Sequence, residues 1–190
     1  MSSMHLVLGG IRSGKSAYAE RVAANIAGRS AVLYLATGVA VDAEMEERIQ
    51  RHQERRPRNW QTLEAPLNPV GALQRQPQTM DSPPVLLFDS VDVWVSNLML
   101  EHEGTPRPEL ESRIVGAARR LADYVREMDH QSVIVSSEVG HSLIATTPTG
   151  RQFQDLLGTV NQAMAEAADQ VTLVVAGLPV PIKPLLTGAN

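Results

Sequence analysis

Apolar residues fall into short unbroken blocks, separated by stretches in which they recur every three or four positions. The blocks are HLVL (5–8), AVLYLA (31–36), VLLF (85–88), SVIV (132–135) and VTLVVA (171–176). None alternates apolar with polar, so each reads as a strand covered on both faces. The periodic stretches predict helices over 15–27, 43–54, 69–76, 91–100, 108–128 and 150–168. Ala17, Ala19, Val22, Ala23 and Ile26 carry the first. Asp42 is a natural cap for the second, where Glu44, Glu46 and Glu47 come early and Arg48, Arg51 and Arg55 late, as the helix dipole favours. PQTMDSPP (77–84) breaks regular structure before the third strand. Residues 56–66 read as a loop. Gly177 and the prolines at 179, 181 and 184 read as the start of a tail. Strands in alternation with helices predict an α/β fold, a mostly parallel sheet with helices on both faces. The 190 residues suit one domain over 1–190, with 184–190 as its tail.

Composition narrows the chemistry. The chain has no cysteine, which removes disulfides, thiolate metal sites and cysteine nucleophiles. A net charge of -4 gives no support for a general nucleic-acid binder. No apolar run approaches a membrane span, and no basic segment followed by an apolar stretch opens the chain, so a cytoplasmic protein is expected. The chain has 15 arginines but two lysines, Lys15 and Lys183. A lysine inside a glycine-rich turn is therefore the less incidental.

That turn is GGIRSGKS (9–16). Gly9, Gly14, Lys15 and Ser16 fill G-x-x-x-x-G-K-[ST], with a strand before it and a helix after. The pattern reads as the phosphate-binding loop of P-loop NTPase-like folds, the alternative being a plain glycine turn between strand and helix. Its glycines let successive N–H groups face phosphate oxygens, and the following helix adds its positive end. Gly10, Ile11, Arg12 and Ser13 complete the cradle. Lys15 is placed for the β- and γ-phosphates and Ser16 for Mg²⁺. Such a loop also requires a strand-end acid to hold the metal through water. Asp89 closes VLLFD and fits, with Asp92 as its rival.

His52 sits among Arg48, Arg51, Arg55, Arg56 and Arg58, five arginines within eleven residues. One reading is a solvated helix end, its arginines balancing Glu44, Glu46 and Glu47. The other is an imidazole poised to attack phosphorus, kept neutral by the arginines that would stabilise the developing charge. His5, His102, His130 and His141 have no comparable surroundings.

The chain resembles the bifunctional adenosylcobinamide kinase / adenosylcobinamide-phosphate guanylyltransferase family of cobalamin biosynthesis. The resemblance rests on GGIRSGKS (9–16), LYLATG (33–38), D-x-E-M-x-x-R-I-x-x-H (42–52), RRPRNWQTLEAP (55–66), LLFDSVDVWVSNLM (86–99), SSEVG (136–140), NQAMAEAADQVTLVVAG (161–177) and PIK (181–183). It implies two reactions. ATP or GTP phosphorylates the aminopropanol hydroxyl of adenosylcobinamide. GTP then guanylylates a histidine, and the GMP passes to the corrinoid phosphate, giving adenosyl-GDP-cobinamide. The family's histidine falls on His52 and its strand-end acid on Asp89. Its nucleotide contacts fall on Gly38, Val39 and Ala40, on Arg56, Pro57, Arg58 and Asn59, and on Glu64. A homotrimer is implied. The rival readings are a plain small-molecule kinase, a non-catalytic nucleotide-binding module that uses bound GTP as an assembly switch, and a guanylyltransferase without the kinase step. The chain departs from the usual family pattern at Ser90, where cysteine is usual, at Asp92 (threonine), at Ser137 (asparagine) and over 141–148.

Overall fold

The computed structural model describes residues 3–39, 57, 59–76, 84–128 and 130–183. Among them, seven strands form one sheet: β1 (Ser3–Gly9), β2 (Val32–Ala36), β3 (Gln61–Glu64), β4 (Val85–Asp89), β5 (Gln131–Ser137), β6 (Gln170–Val175) and β7 (Leu178–Lys183). The helices are α1 (Lys15–Ala27), α2 (Pro69–Gln74), α3 (Val91–Glu101), α4 (Arg107–Glu127) and α5 (Pro148–Ala167). The strand order is β3-β2-β4-β5-β1-β6-β7. Every neighbouring pair is parallel except β6–β7.

The apolar blocks are continuous because both sheet faces are covered. Met4, Leu6, Leu8, Leu86, Phe88 and Ile134 face a large cluster supplied by α2, α3, α4 and α5. Val7, Tyr34, Leu87, Val133 and Val135 face the other way, against Ala19, Ala23 and Ala27 of α1. The predicted α/β fold with helices on both faces is therefore what forms. Alanines on α1 let it lie close to the sheet. On α4 the buried residues Leu110, Ile114, Ala118, Leu121, Ala122 and Val125 keep one stripe inward.

Two expectations are corrected. Residues 61–64, read as loop, are β3, paired in register with Leu33–Ala36. It is a four-residue edge strand with little buried surface, so it leaves almost no hydrophobic signature. The stretch from Gly177, read as a tail, is β7, antiparallel to β6 with Val175 opposite Leu178. The two-residue turn has positive φ at both Ala176 (51°) and Gly177 (81°), the hand that suits a tight hairpin. Prolines 179 and 181 misled: proline is tolerated on an edge strand, and every residue of β7 is exposed. The helix expected over 43–54 and the tail 184–190 lie outside the described residues.

Candidate active site

The C-terminal ends of the parallel strands form one edge, and the site is built along it. After β1 the chain turns through Gly9–Gly14 and enters α1. Arg12 (φ 56°) and Gly14 (φ 91°) are left-handed, which curls the loop back on itself. The Ser13 N–H donates to the Gly10 carbonyl at 3.2 Å. A side chain at Gly9 would collide with Ser13 Oγ and come within 2.8 Å of the Val174 carbonyl. The first glycine is thus a packing requirement. Ile11 stands at the apex, 88% exposed. The Lys15 ammonium donates to the Gly10 carbonyl at 3.3 Å, lying across the mouth of its own loop. That is where a lysine can exchange a carbonyl for phosphate oxygens.

Asp89 ends β4 and reaches the start of α1. The Ser16 hydroxyl donates to its Oδ1 at 3.5 Å, and the Tyr34 phenol donates to its Oδ2 at 2.8 Å. Asp89, not Asp92, is the acid over Ser16. Gly38 and Val39 follow β2 on the same edge, and both are exposed. Glu64 ends β3 beside Ala36. Pro57 and Asn59 are exposed on the approach to β3. Of the expected site residues, Gly9 to Ser16, Gly38, Val39, Glu64 and Asp89 are therefore brought to one edge. His52, Ala40, Arg56 and Arg58 lie outside the described residues.

Several residues that shape this edge escaped the sequence reading. The Gly177 N–H donates to the Ser13 carbonyl at 2.8 Å, so the β6–β7 turn braces the phosphate loop from the side. Thr37 is fully buried. Its hydroxyl donates to the Ser90 carbonyl at 2.9 Å and accepts from the Ser90 N–H at 3.0 Å, locking the chain ends after β2 and β4 together. Asn97 donates to the Thr37 and Pro66 carbonyls at 2.8 and 3.1 Å, and the Trp94 indole donates to the Leu67 carbonyl at 3.0 Å. The WVSNL stretch is thus a clamp: one turn of α3 holds the exits of β2 and β3. Asn161, buried on α5, accepts from Ser136 Oγ at 2.6 Å and donates to the Ser137 carbonyl at 2.9 Å, fixing the exit of β5.

Asp92 and Ser137, two of the departures from the family pattern, are one contact. The Ser137 hydroxyl donates to Asp92 Oδ2 at 2.8 Å. The other oxygen, Asp92 Oδ1, is buried without a hydrogen-bond partner among the described residues. Ser137 is in register with Gly9, and the next residue, Glu138, donates its N–H to the Gly9 carbonyl at 3.0 Å. Ser137 therefore sits beside the first glycine of the phosphate loop, and Asp92 is joined to it there. Asp92 lies in the first turn of α3, where the helix dipole favours a carboxylate.

His5 is structural. Its Nε2 lies 2.8 Å from Thr172 Oγ1, and its ring meets Tyr18 edge-on at 6.3 Å. Burial lowers its pKa from the ordinary 6.5.

A parallel sheet, a preformed phosphate loop and a strand-end acid over the loop serine define a nucleotide-binding domain of the P-loop NTPase class. The fold agrees with a KaiC-like protein from Pyrococcus horikoshii (TM-score 0.54, 12% identity, 90% of this chain and 70% of that one). It agrees also with a solved ATPase domain (TM-score 0.50, 13% identity, 90% and 68%). Sequence carries the identification further. Residues 5–182 match the family described as cobinamide kinase / cobinamide phosphate guanyltransferase, and the chain belongs to that family. The bifunctional adenosylcobalamin biosynthesis protein CobP of Pseudomonas aeruginosa is 38% identical over 178 residues, covering 94% of this chain and 96% of that protein. The bifunctional protein CobU of Escherichia coli is 35% identical over 188 residues, covering 95% and 99%. Membership makes the chain a nucleotide-dependent kinase and guanylyltransferase of cobalamin biosynthesis.

Proposed function

We propose that this chain phosphorylates adenosylcobinamide and then transfers GMP to the product through a covalent guanylyl group on His52. The observation that carries the reading is the assembled loop, Lys15 across its mouth and Asp89 over Ser16, in a chain matched to the family from residue 5 to 182. In the first reaction the substrate hydroxyl attacks the γ-phosphorus of a bound triphosphate, the bond to the β-phosphate oxygen breaks, and the diphosphate leaves. Positioning and charge carry this step. The loop N–H groups hold the phosphates, and Lys15 neutralises charge on the β- and γ-oxygens. In the second, an imidazole nitrogen of His52 attacks the α-phosphorus of GTP and pyrophosphate leaves. A corrinoid phosphate oxygen then attacks that phosphorus, and the histidine is released. A plain phosphoryl transfer needs no such nucleophile.

Ser16 Oγ and Asp89 Oδ1 are hard oxygen donors 3.5 Å apart, a pair that fits Mg²⁺ held jointly with nucleotide phosphates. That cation supplies charge neutralisation and orientation of the phosphate oxygens. Gly38, Val39, Ala40, Arg56, Pro57, Arg58, Asn59 and Glu64 complete the nucleotide site in this reading. The working assembly is a homotrimer in the cytoplasm. Among the described residues no helix is long and apolar enough to cross a membrane.

The test is covalent labelling. Protein incubated with Mg²⁺ and GTP labelled at the α-phosphate, then denatured, should retain an acid-labile, alkali-stable label that is missing from His52→Ala. A wild-type chain that binds GTP and takes no label would overturn the covalent step.

A further inference from the structure

We propose that Tyr34 is a positioning residue for both reactions: its phenol sets the Asp89 carboxylate toward Ser16 and the cation, and its ring ties that setting to Trp60. The inference rests on Asp89 holding the divalent cation, as read above.

Tyr34 stands in a strand whose other members are apolar, and it is 2% exposed. A buried phenol needs a partner for its O–H. It finds one in the acid of the site, donating to Asp89 Oδ2 at 2.8 Å. The register makes the contact possible. Tyr34 is opposite Leu87, and Ala36 is opposite Asp89. Tyr34 and Asp89 are therefore diagonal neighbours on the α1 face of adjacent strands, a separation that a long aromatic side chain spans. Donation to Oδ2 fixes the rotation of the carboxylate. Oδ1 is then turned to Ser16 Oγ. A carboxylate free to rotate would present that oxygen only part of the time.

The same ring is stacked on Trp60, with centroids 6.4 Å apart and planes 29° apart. Trp60 follows the RPRN run, eight positions beyond His52, and its N–H donates to the Pro57 carbonyl at 3.0 Å. The residue that orients the metal acid thus also packs on the tryptophan that leads into β3. A shift of Trp60 tilts the Tyr34 ring, and with it the donor on Asp89.

Tyr34→Phe keeps the ring, the stack and the packing and removes one donor. GTP affinity in EDTA should be unchanged by calorimetry, whereas the gain in affinity on adding Mg²⁺ should shrink by about threefold to tenfold, the worth of one hydrogen bond. The half-saturating Mg²⁺ concentration should rise by the same factor in phosphoryl transfer and in His52 labelling, with turnover at saturating Mg²⁺ retained. Trp60→Leu, which leaves the phenol in place, should shift the requirement in the same direction. Asp89→Asn is run in parallel and should abolish most of the Mg²⁺ dependence of binding. Wild-type behaviour of Tyr34→Phe beside a disabled Asp89→Asn overturns the role given to Tyr34. A shift in one reaction alone overturns its sharing by both, and an unshifted Trp60→Leu overturns the tie to Trp60. If Asp89→Asn keeps its full Mg²⁺ dependence, the assignment of Asp89 as cation holder is wrong, and the proposal falls with it.

Discussion

At the scale of single residues, the two lysines of the chain have opposite duties. Lys15 lies across the phosphate loop at the positive end of α1, where anions bind. In the proposed mechanism both reactions begin with a triphosphate in that loop. Lys15→Ala should therefore slow phosphoryl transfer and His52 labelling together, each by roughly 10²–10³-fold, as for other lost charge-stabilising donors. Steady-state kinetics on a folded variant checks this. His52→Ala should instead lose labelling while phosphoryl transfer survives, because only the covalent step needs an imidazole. Ser137 tests the buried Asp92. Ser137→Ala removes the hydroxyl that donates to Oδ2, beside an Oδ1 that already lacks a donor among the described residues. A loss of about 1–3 kcal/mol in unfolding free energy is expected, read by denaturant titration; an unchanged midpoint would show that water serves the carboxylate equally well.

At the scale of elements, the far end of the chain supports the near one. Lys183, on β7, donates to the carbonyls of Ala165, Glu166 and Ala168 at 3.2, 3.2 and 2.6 Å, covering the C-terminal turn of α5. A cation there satisfies carbonyls that the helix cannot and meets the negative end of its dipole. Lys183→Met should cost about 0.5–1 kcal/mol, most evident at low salt. The hairpin between β6 and β7 does a second task by holding the phosphate loop through Gly177. At φ 81° a Cβ is strained, so Gly177→Ala should cost about 1–2 kcal/mol. It should also weaken nucleotide binding, a pairing that separates loop support from plain hairpin stability.

At the scale of the whole molecule, the sheet is closed on both faces and His5 lies within that seal. Burial keeps its imidazole neutral in the folded chain, with a pKa below the ordinary 6.5. The unfolded chain takes up a proton there that the folded chain refuses. Stability is thus intact above about pH 6.5 and is lost as pH falls from 6.5 toward the lowered folded value. His5→Asn should flatten that acid-side decline by at most one proton, about 1.4 kcal/mol per pH unit. Melting temperatures between about pH 7.5 and 5 measure it. The proposed trimer is checked at this scale too, by light scattering of the purified chain.

The sequence alone determined the features that local patterns encode. Continuous apolar runs require strands covered on two faces, and five of the seven strands were legible that way. The loop was legible because phosphate binding needs a fixed spacing of glycine, lysine and serine within eight consecutive residues. Asp89 was legible because it ends a strand. The tertiary structure decided whatever depends on residues far apart in the chain. β3 and β7 exist through pairing at the sheet edges and carry little burial, so no apolar block announces them. Tyr34 becomes a partner of Asp89 only in the register of β2 on β4. Ser137 and Asp92, 45 positions apart, read as two unrelated departures until β5 and α3 bring them into one hydrogen bond. Asn97 and Asn161 look like ordinary helix residues until the strand exits they clamp are in place. Local chemistry is written in neighbouring letters, whereas a hydrogen bond between distant segments takes its geometry from the packing of the sheet.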